Sequence, residues 1–131
     1  MDENKLIIEG MEPCPHVDFD FSNNRYSISG TCYPENTLAF FDPIYSRFEQ
    51  HVDALSGSQV VFELKLSYFN SGASRVFSQF FDMLERCASA GNTVIINWFC
   101  EDGDDNMIEL AHVFEEDFQE VNFQVVIEKA D

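Results

Sequence analysis

The run FELKLSYFNSGASRVFS over Phe62–Ser78 constrains this chain more than any other segment. Val60, Val61, Phe62, Leu64, Leu66, Tyr68 and Phe69 form a nearly continuous apolar and aromatic series, the pattern of a strand buried on both faces. Asn70, Ser71, Gly72 and Ser74 then supply turn and cap chemistry. Val76, Phe77, Phe80, Phe81, Leu84 and Cys87 follow at helical spacing. A buried strand that passes through a short polar turn into an amphipathic helix is the building unit of an α/β layer. It also sets the Ser71 hydroxyl where unpaired backbone N–H groups and the positive end of a helix dipole lie. Such a place can hold a phosphate, so Ser71 is a candidate switch residue.

The rest of the chain extends that unit. Lys5–Glu9 is a short strand candidate, and Pro13 and Pro15 make Met11–His16 an irregular lead-in. VDFDF (Val17–Phe21) and RYSIS (Arg25–Ser29) alternate apolar and polar residues around the turn Ser22–Asn24, which predicts a β-hairpin. Gly30–Asn36 is a loop in which Pro34 suits the first turn of a helix. Leu38, Phe41, Tyr45, Phe48, Val52 and Leu55 mark the inner face of that helix, which ends near Ala54. Pro43 is expected to kink or restart it, with Asp42 as a second cap. Gly91 closes the helix that follows Ser71. TVIINWF (Thr93–Phe99) is another strand, and EDGDDN (Glu101–Asn106) is an acidic loop with Asp104 or Asp105 as cap. Met107, Leu110, Ala111, Phe114 and Phe118 line a last helix, and Val121–Glu128 is the final strand. The predicted fold is therefore one α/β domain over residues 1–131. It has a mixed sheet, an N-terminal hairpin and helices packed on the sheet. The alternating second half implies right-handed crossovers and mostly parallel strands.

Charge narrows the partners. Twenty-four acidic residues against 7 basic ones give a formal net charge of −17. That disfavours binding to nucleic acid or to an anionic membrane surface. It fits a well-solvated surface or a partner with basic patches. Cys14, Cys32, Cys87 and Cys100 show neither a CxxC pair nor metal-ligand spacing with histidine, so reduced thiols and a cytoplasmic address are expected. No apolar run approaches the roughly 20 residues of a membrane span, and the N-terminus lacks the pattern of a secretion signal.

Catalytic and metal chemistry have little support in the spacing. His16, His51 and His112 form no HxxxH or HExxH pattern, and there is no GxSxG, Walker or Rossmann glycine motif. Counted from Asp102, an EF-hand needs Gly at position six and Glu at position twelve, where this chain has Met107 and Val113. No cofactor and no metal are expected. On the residues alone, Ser71 reads most simply as a helix-cap hydroxyl. Ser74 is the nearest competing phosphate acceptor, and Ser67 is expected inside the strand and less accessible. Arg75, four residues beyond Ser71, is either a solvated helix residue or a phosphate ligand. Trp98 and Phe99 read as core, although an exposed Phe99 would suit an interface.

The order of elements resembles a STAS-type domain of the kind found in anti-sigma-factor antagonists, where a Ser or Thr after the central strand is phosphorylated. A closer resemblance rests on VDFDF, SISG (Ser27–Gly30), YPEN (Tyr33–Asn36), LSYFNS (Leu66–Ser71) and NWFCEDGDD (Asn97–Asp105). In this order, across about Leu6 to Phe123, they are similar to the SiaC family of bacterial regulatory phosphoproteins. The resemblance implies a non-enzymatic adaptor phosphorylated by a dedicated kinase and reset by a metal-dependent serine/threonine phosphatase. Its unphosphorylated form would bind and activate a diguanylate cyclase, raising cyclic di-GMP and favouring biofilm growth. The family's acceptor follows YFN and so falls on Ser71, with Ser where Thr is familiar and with Gly72 where a second hydroxyl residue is common. Asn70, Gly72, Ser74, Arg75 and Tyr68 become candidate phosphate neighbours or partner contacts. Tyr33, Glu35 and Asn36 become further partner-contact candidates. Two alternatives stand beside this reading: a partner-switching module acting on an anti-sigma factor, and a small acid–base enzyme.

Overall fold

The structure, a computed structural model, describes residues 4–129, so both ends of the predicted 1–131 domain lie outside the described residues. Six strands form one sheet in the sequential order β1-β2-β3-β4-β5-β6. They are β1 (Lys5–Ile8), β2 (His16–Asp20), β3 (Arg25–Cys32), β4 (Gln59–Phe69), β5 (Thr93–Glu101) and β6 (Asn122–Glu128). The helices are α1 (Thr37–Asp53), α2 (Ser71–Ser89) and α3 (Asp105–Glu116). β1, β2 and β3 pair antiparallel, and β3 through β6 pair in parallel. The mixed α/β sheet read from the sequence is the one observed.

The hairpin turn is held by Asp20. Its carboxylate accepts the N–H groups of Ser22 (3.1 Å) and Asn23 (3.3 Å) and the side-chain amide of Asn23 (2.8 Å). Asn24 takes the left-handed conformation, φ 52°, which Asn tolerates better than most residues. Asn24 then accepts from the Tyr26 hydroxyl at 3.2 Å and meets the His51 ring nitrogen at 2.9 Å. The turn is thereby tied to the end of α1.

Each parallel crossover steps to the next strand in the same direction. A right-handed connection then places every helix on the same side of the sheet. The expectation that β4 is buried on both faces is therefore wrong. Val60, Phe62, Leu64 and Leu66 are buried, whereas Val61 and Glu63 are half-buried and Lys65 is exposed. The covered side is packed with rings. Phe80 of α2 lies 5.0 Å from Phe48, 5.5 Å from Phe62 and 5.9 Å from Phe19, centroid to centroid. Phe81 lies 5.4 Å from Phe123 and 6.1 Å from Trp98. Trp98 is fully buried, while Phe99, its neighbour in β5, is half-buried on the uncovered side. There Lys65 reaches across the β5 row to Glu128 at 3.0 Å.

α1 departs from its sequence reading in three ways. It starts at Thr37, with Asn36 accepting the Ala39 N–H at 3.1 Å, so Pro34 lies before the helix rather than in its first turn. It runs unbroken through Pro43, and Asp42 caps nothing. The buried face formed by Phe41, Ile44, Phe48 and Val52 holds the helix across the missing proline donor. Leu38, expected on the inner face, is 57% exposed. α2 ends as predicted, with Gly91 at φ 102°. α3 is capped by Asp104, whose carboxylate accepts the Met107 N–H at 3.3 Å.

Candidate functional site

The site is built where β3 and β4 hand the chain to α1 and α2. Gly30 pairs with Leu66 but Thr31 pairs with Tyr68, so Ser67 is an extra residue in β4. Gly30 has φ 96°, and its carbonyl accepts the Ser67 hydroxyl at 3.3 Å. This β-bulge resets the alternation of the strand. Leu66 still points inward, but Tyr68 is turned out and Phe69 is turned in. Phe69 then packs 5.2 Å from Phe77 and 6.0 Å from Trp98. Tyr68 is 56% exposed, with its ring 5.6 Å from that of Tyr33. Ser67 is exposed rather than sequestered in the strand as expected, because it follows the inward-facing Leu66 and so shares the uncovered side of the sheet with Lys65.

One residue connects β4 to α2. The Asn70 N–H donates to the Cys32 carbonyl at 3.1 Å and so still belongs to the sheet edge. Its carbonyl accepts the Ser74 N–H at 3.1 Å, and its side-chain oxygen accepts the Ala73 N–H at 2.9 Å. Asn70 is thus the helix cap, and Ser71 is the first helical residue rather than the cap hydroxyl. The Ser71 side chain is exposed and makes no hydrogen bond among the described residues.

Thr37, at the start of α1, was not singled out from the sequence. Its hydroxyl is buried and lies 3.3 Å from the Pro34 carbonyl and 3.4 Å from the Asn70 side-chain oxygen. The Asn70 amide also donates to the Pro34 carbonyl at 3.4 Å. These bonds tie the first turn of α2 to the first turn of α1. Gly72 permits the approach, since a Cβ there would sit 2.9 Å from the Thr37 hydroxyl oxygen. No local signal could reveal this contact, because 33 residues separate Thr37 from Asn70.

An open cleft of about 430 Å³ results, lined by Glu35, Asn36, Thr37, Leu38, Asn70, Ser71, Gly72 and Arg75. Five of the residues predicted for the site meet there around Ser71: Glu35, Asn36, Asn70, Gly72 and Arg75. Ser74 is half-buried and does not line the cleft, and neither do Tyr33 and Tyr68. The Tyr33 hydroxyl donates to Glu12 at 3.2 Å. Its acidity is weakened, first by loss of solvation and then by that carboxylate. Ser71 and Arg75 stand four residues apart on one helix face, so their side chains are neighbours.

The chain is thus a two-layer α/β domain with a solvent-facing serine at a strand–helix junction. The sequence profile described as "SiaC family regulatory phosphoprotein" matches residues 8–128. The chain belongs to the SiaC family of regulatory phosphoproteins. A protein of Pseudomonas aeruginosa (strain UCBPP-PA14) with no assigned function is 28% identical over 112 residues, covering 86% of this chain and 88% of that protein. The crystal structure of apo-SiaC from Pseudomonas aeruginosa is similar with a TM-score of 0.83 at 26% identity, over 96% of this chain and 99% of that one. Similar too is SiaC in the crystal structure of its complex with the diguanylate cyclase SiaD, which it activates. There the TM-score is 0.87 at 26% identity, over 94% of this chain and 99% of that one. Among the described residues, no helix is long and apolar enough to cross a membrane.

Proposed function

We propose that this protein is a cytoplasmic, non-enzymatic adaptor whose unphosphorylated form binds and activates a diguanylate cyclase, and that phosphorylation of Ser71 switches it off. A dedicated kinase adds the phosphate and a serine/threonine phosphatase removes it. The observation that carries the reading is the Ser71 side chain. It is exposed, bonded to nothing among the described residues, and held at a defined place by the Asn70 cap. A kinase can reach such a hydroxyl without unfolding the site. Membership of a phosphoprotein family and likeness to an activator seen bound to its cyclase support the same reading.

The switch works by exclusion. Phosphorylation adds about −1.5 to −2 charge at neutral pH. An interface shaped around a neutral hydroxyl would have to bury or repel that dianion, which costs several kcal/mol. The Asn70 cap and the α1–α2 tie involve no Ser71 side-chain atom, so the fold itself need not change. Asn70, Gly72 and Ser74 shape the acceptor's surroundings. Tyr68, Tyr33, Glu35 and Asn36 border the docking area.

The test is binding of unmodified, Ser71→Ala and kinase-phosphorylated protein to a purified diguanylate cyclase from the same organism, with cyclic di-GMP production as second readout. Unmodified and Ala proteins should bind and activate. The phosphorylated protein should bind at least about 30-fold more weakly, equivalent to about 2 kcal/mol. Equal binding by the phosphorylated and unmodified proteins would refute the switch.

A further inference from the structure

The four arginines of this chain are not equivalent. Arg25 pairs with Glu63 at 3.7 Å, and Arg86 pairs with Glu49 at 3.6 Å. Arg47 lies 4.6 Å over the Phe21 ring and donates to the Lys5 carbonyl at 3.5 Å. Arg75 alone among them has neither an ion pair nor a hydrogen bond among the described residues. In a chain with 24 acidic residues, a guanidinium left without a carboxylate is a notable vacancy. It is exposed, it lines the cleft that contains Ser71, and it stands one helical turn from that hydroxyl. Leu38, 57% exposed, lines the same cleft.

From this we infer that Arg75 is a shared cation for which two anions compete: a carboxylate of the output partner while Ser71 is bare, and the phosphate once Ser71 is modified. The inference rests on the switch reading above and names the chemistry of the partner. The segment that docks in the cleft carries an Asp or Glu directed at Arg75 and an apolar side chain laid on Leu38. Charge complementarity selects this occupant, because among the described residues the guanidinium is the only cationic side chain lining the cleft and Glu35 disfavours further acids elsewhere in it. A guanidinium holds a carboxylate or a phosphate through two parallel N–H···O bonds and cannot serve both fully. Phosphate at Ser71 is covalently fixed one turn away, so it competes at a high effective concentration. Modification thereby withdraws the partner's cation and sets a dianion against the partner's carboxylate, two effects of the same sign.

The experiment uses Arg75→Gln, Arg75→Lys and, as control, Arg25→Gln. All are exposed positions whose folding is checked by thermal melts. Binding of each unmodified protein to the cyclase is measured, and the phosphoserine of each modified protein is titrated by phosphorus NMR. Arg75→Gln should bind the cyclase at least tenfold more weakly than wild type, Arg75→Lys should recover part of the loss, and Arg25→Gln should be unaffected. The phosphoserine titration, ordinarily near pH 6, should lie about half a unit higher in Arg75→Gln than in wild type, because the cation favours the dianion. Undiminished binding by Arg75→Gln overturns the inference. So does an unchanged phosphate titration. So does a loss of self-association in Arg75→Gln by light scattering, which would assign the cleft to a second copy of this chain. If wild-type protein binds equally with and without phosphate, the switch reading itself has failed, whatever Arg75 does.

Discussion

Replacing Asn70 by Ala tests the architecture that presents Ser71. The substitution deletes an acceptor for the Ala73 N–H at 2.9 Å, the 3.4 Å contact with the Thr37 hydroxyl and the 3.4 Å bond to the Pro34 carbonyl. Loss of an Asn cap costs about 1 kcal/mol. The two longer contacts are worth about 0.5 kcal/mol each, at the low end for a net hydrogen bond. The expected destabilisation is therefore about 2 kcal/mol. An unfolding entropy of about 2.1 cal/mol/K per residue over 131 residues turns this into a fall in Tm of roughly 7 °C. Asn70→Asp is the control. It keeps the acceptor for Ala73 and loses only the donor to Pro34, so about 0.5 kcal/mol is expected. Urea and thermal unfolding followed by circular dichroism give both values, and hydrogen exchange at Ala73 should report a frayed first turn. The reasoning is refuted if Asn70→Ala lies within about 0.5 kcal/mol of wild type, the low end of the usual cap effect. It is refuted equally if Asp proves as damaging as Ala.

Three further outcomes follow from the packing. Glu85 of α2 accepts the backbone N–H groups of Gln119 (2.9 Å), Glu120 (2.7 Å) and Val121 (3.1 Å) and clamps the turn into β6; Glu85→Ala should lower stability by about 2 kcal/mol in urea unfolding, since bonds to a charged acceptor exceed neutral ones. Burial pushes the Cys32 thiol up to about 12 and that of Cys100 up to about 11, and raises Cys87 as well, so a thiol reagent at pH 8 should titrate the half-buried Cys14 promptly and the other three only on unfolding. His51 is held below its ordinary value of 6.5, first by loss of solvation. The unfolded chain then binds more protons there than the folded one, so the contribution of His51 is present above about pH 6.5 and is lost as pH falls through the lower folded value; melts of wild type and His51→Gln at pH 7.5 and 5.5 should show the steeper fall in wild type.

Much of this molecule was legible in the residues themselves. Alternation in Val17–Phe21 and Arg25–Ser29 specified the hairpin, because a strand with one wet side must place every second residue in the core. The polar break at Asn70–Ser74 placed a hydroxyl at a helix start, because cap and turn residues act locally. Resemblance then marked Ser71 as the acceptor and pointed to the family. The places where sequence reasoning failed have distant causes. The all-apolar look of β4 suggested two covered faces, yet the sequential strand order sends every crossover the same way and leaves one side of the sheet open. Pro43 and Asp42 looked like a break, but a helix face sealed by Phe41, Ile44, Phe48 and Val52 outweighs one missing donor. Leu38 fitted the apolar spacing of α1 and still lies outside, because its turn overhangs the cleft.

The sequence by itself therefore determined which segments become strands and helices and which serine stands at their junction, since those depend on neighbours a few residues apart. Only the tertiary structure decided how that serine is displayed. The bulge at Ser67, the bond joining Thr37 to Asn70 and the lack of an ion-pair partner for Arg75 among the described residues all depend on how remote parts of the chain are brought together. Pairing across such distances is set by how the layers close on one another, and local spacing carries no record of it.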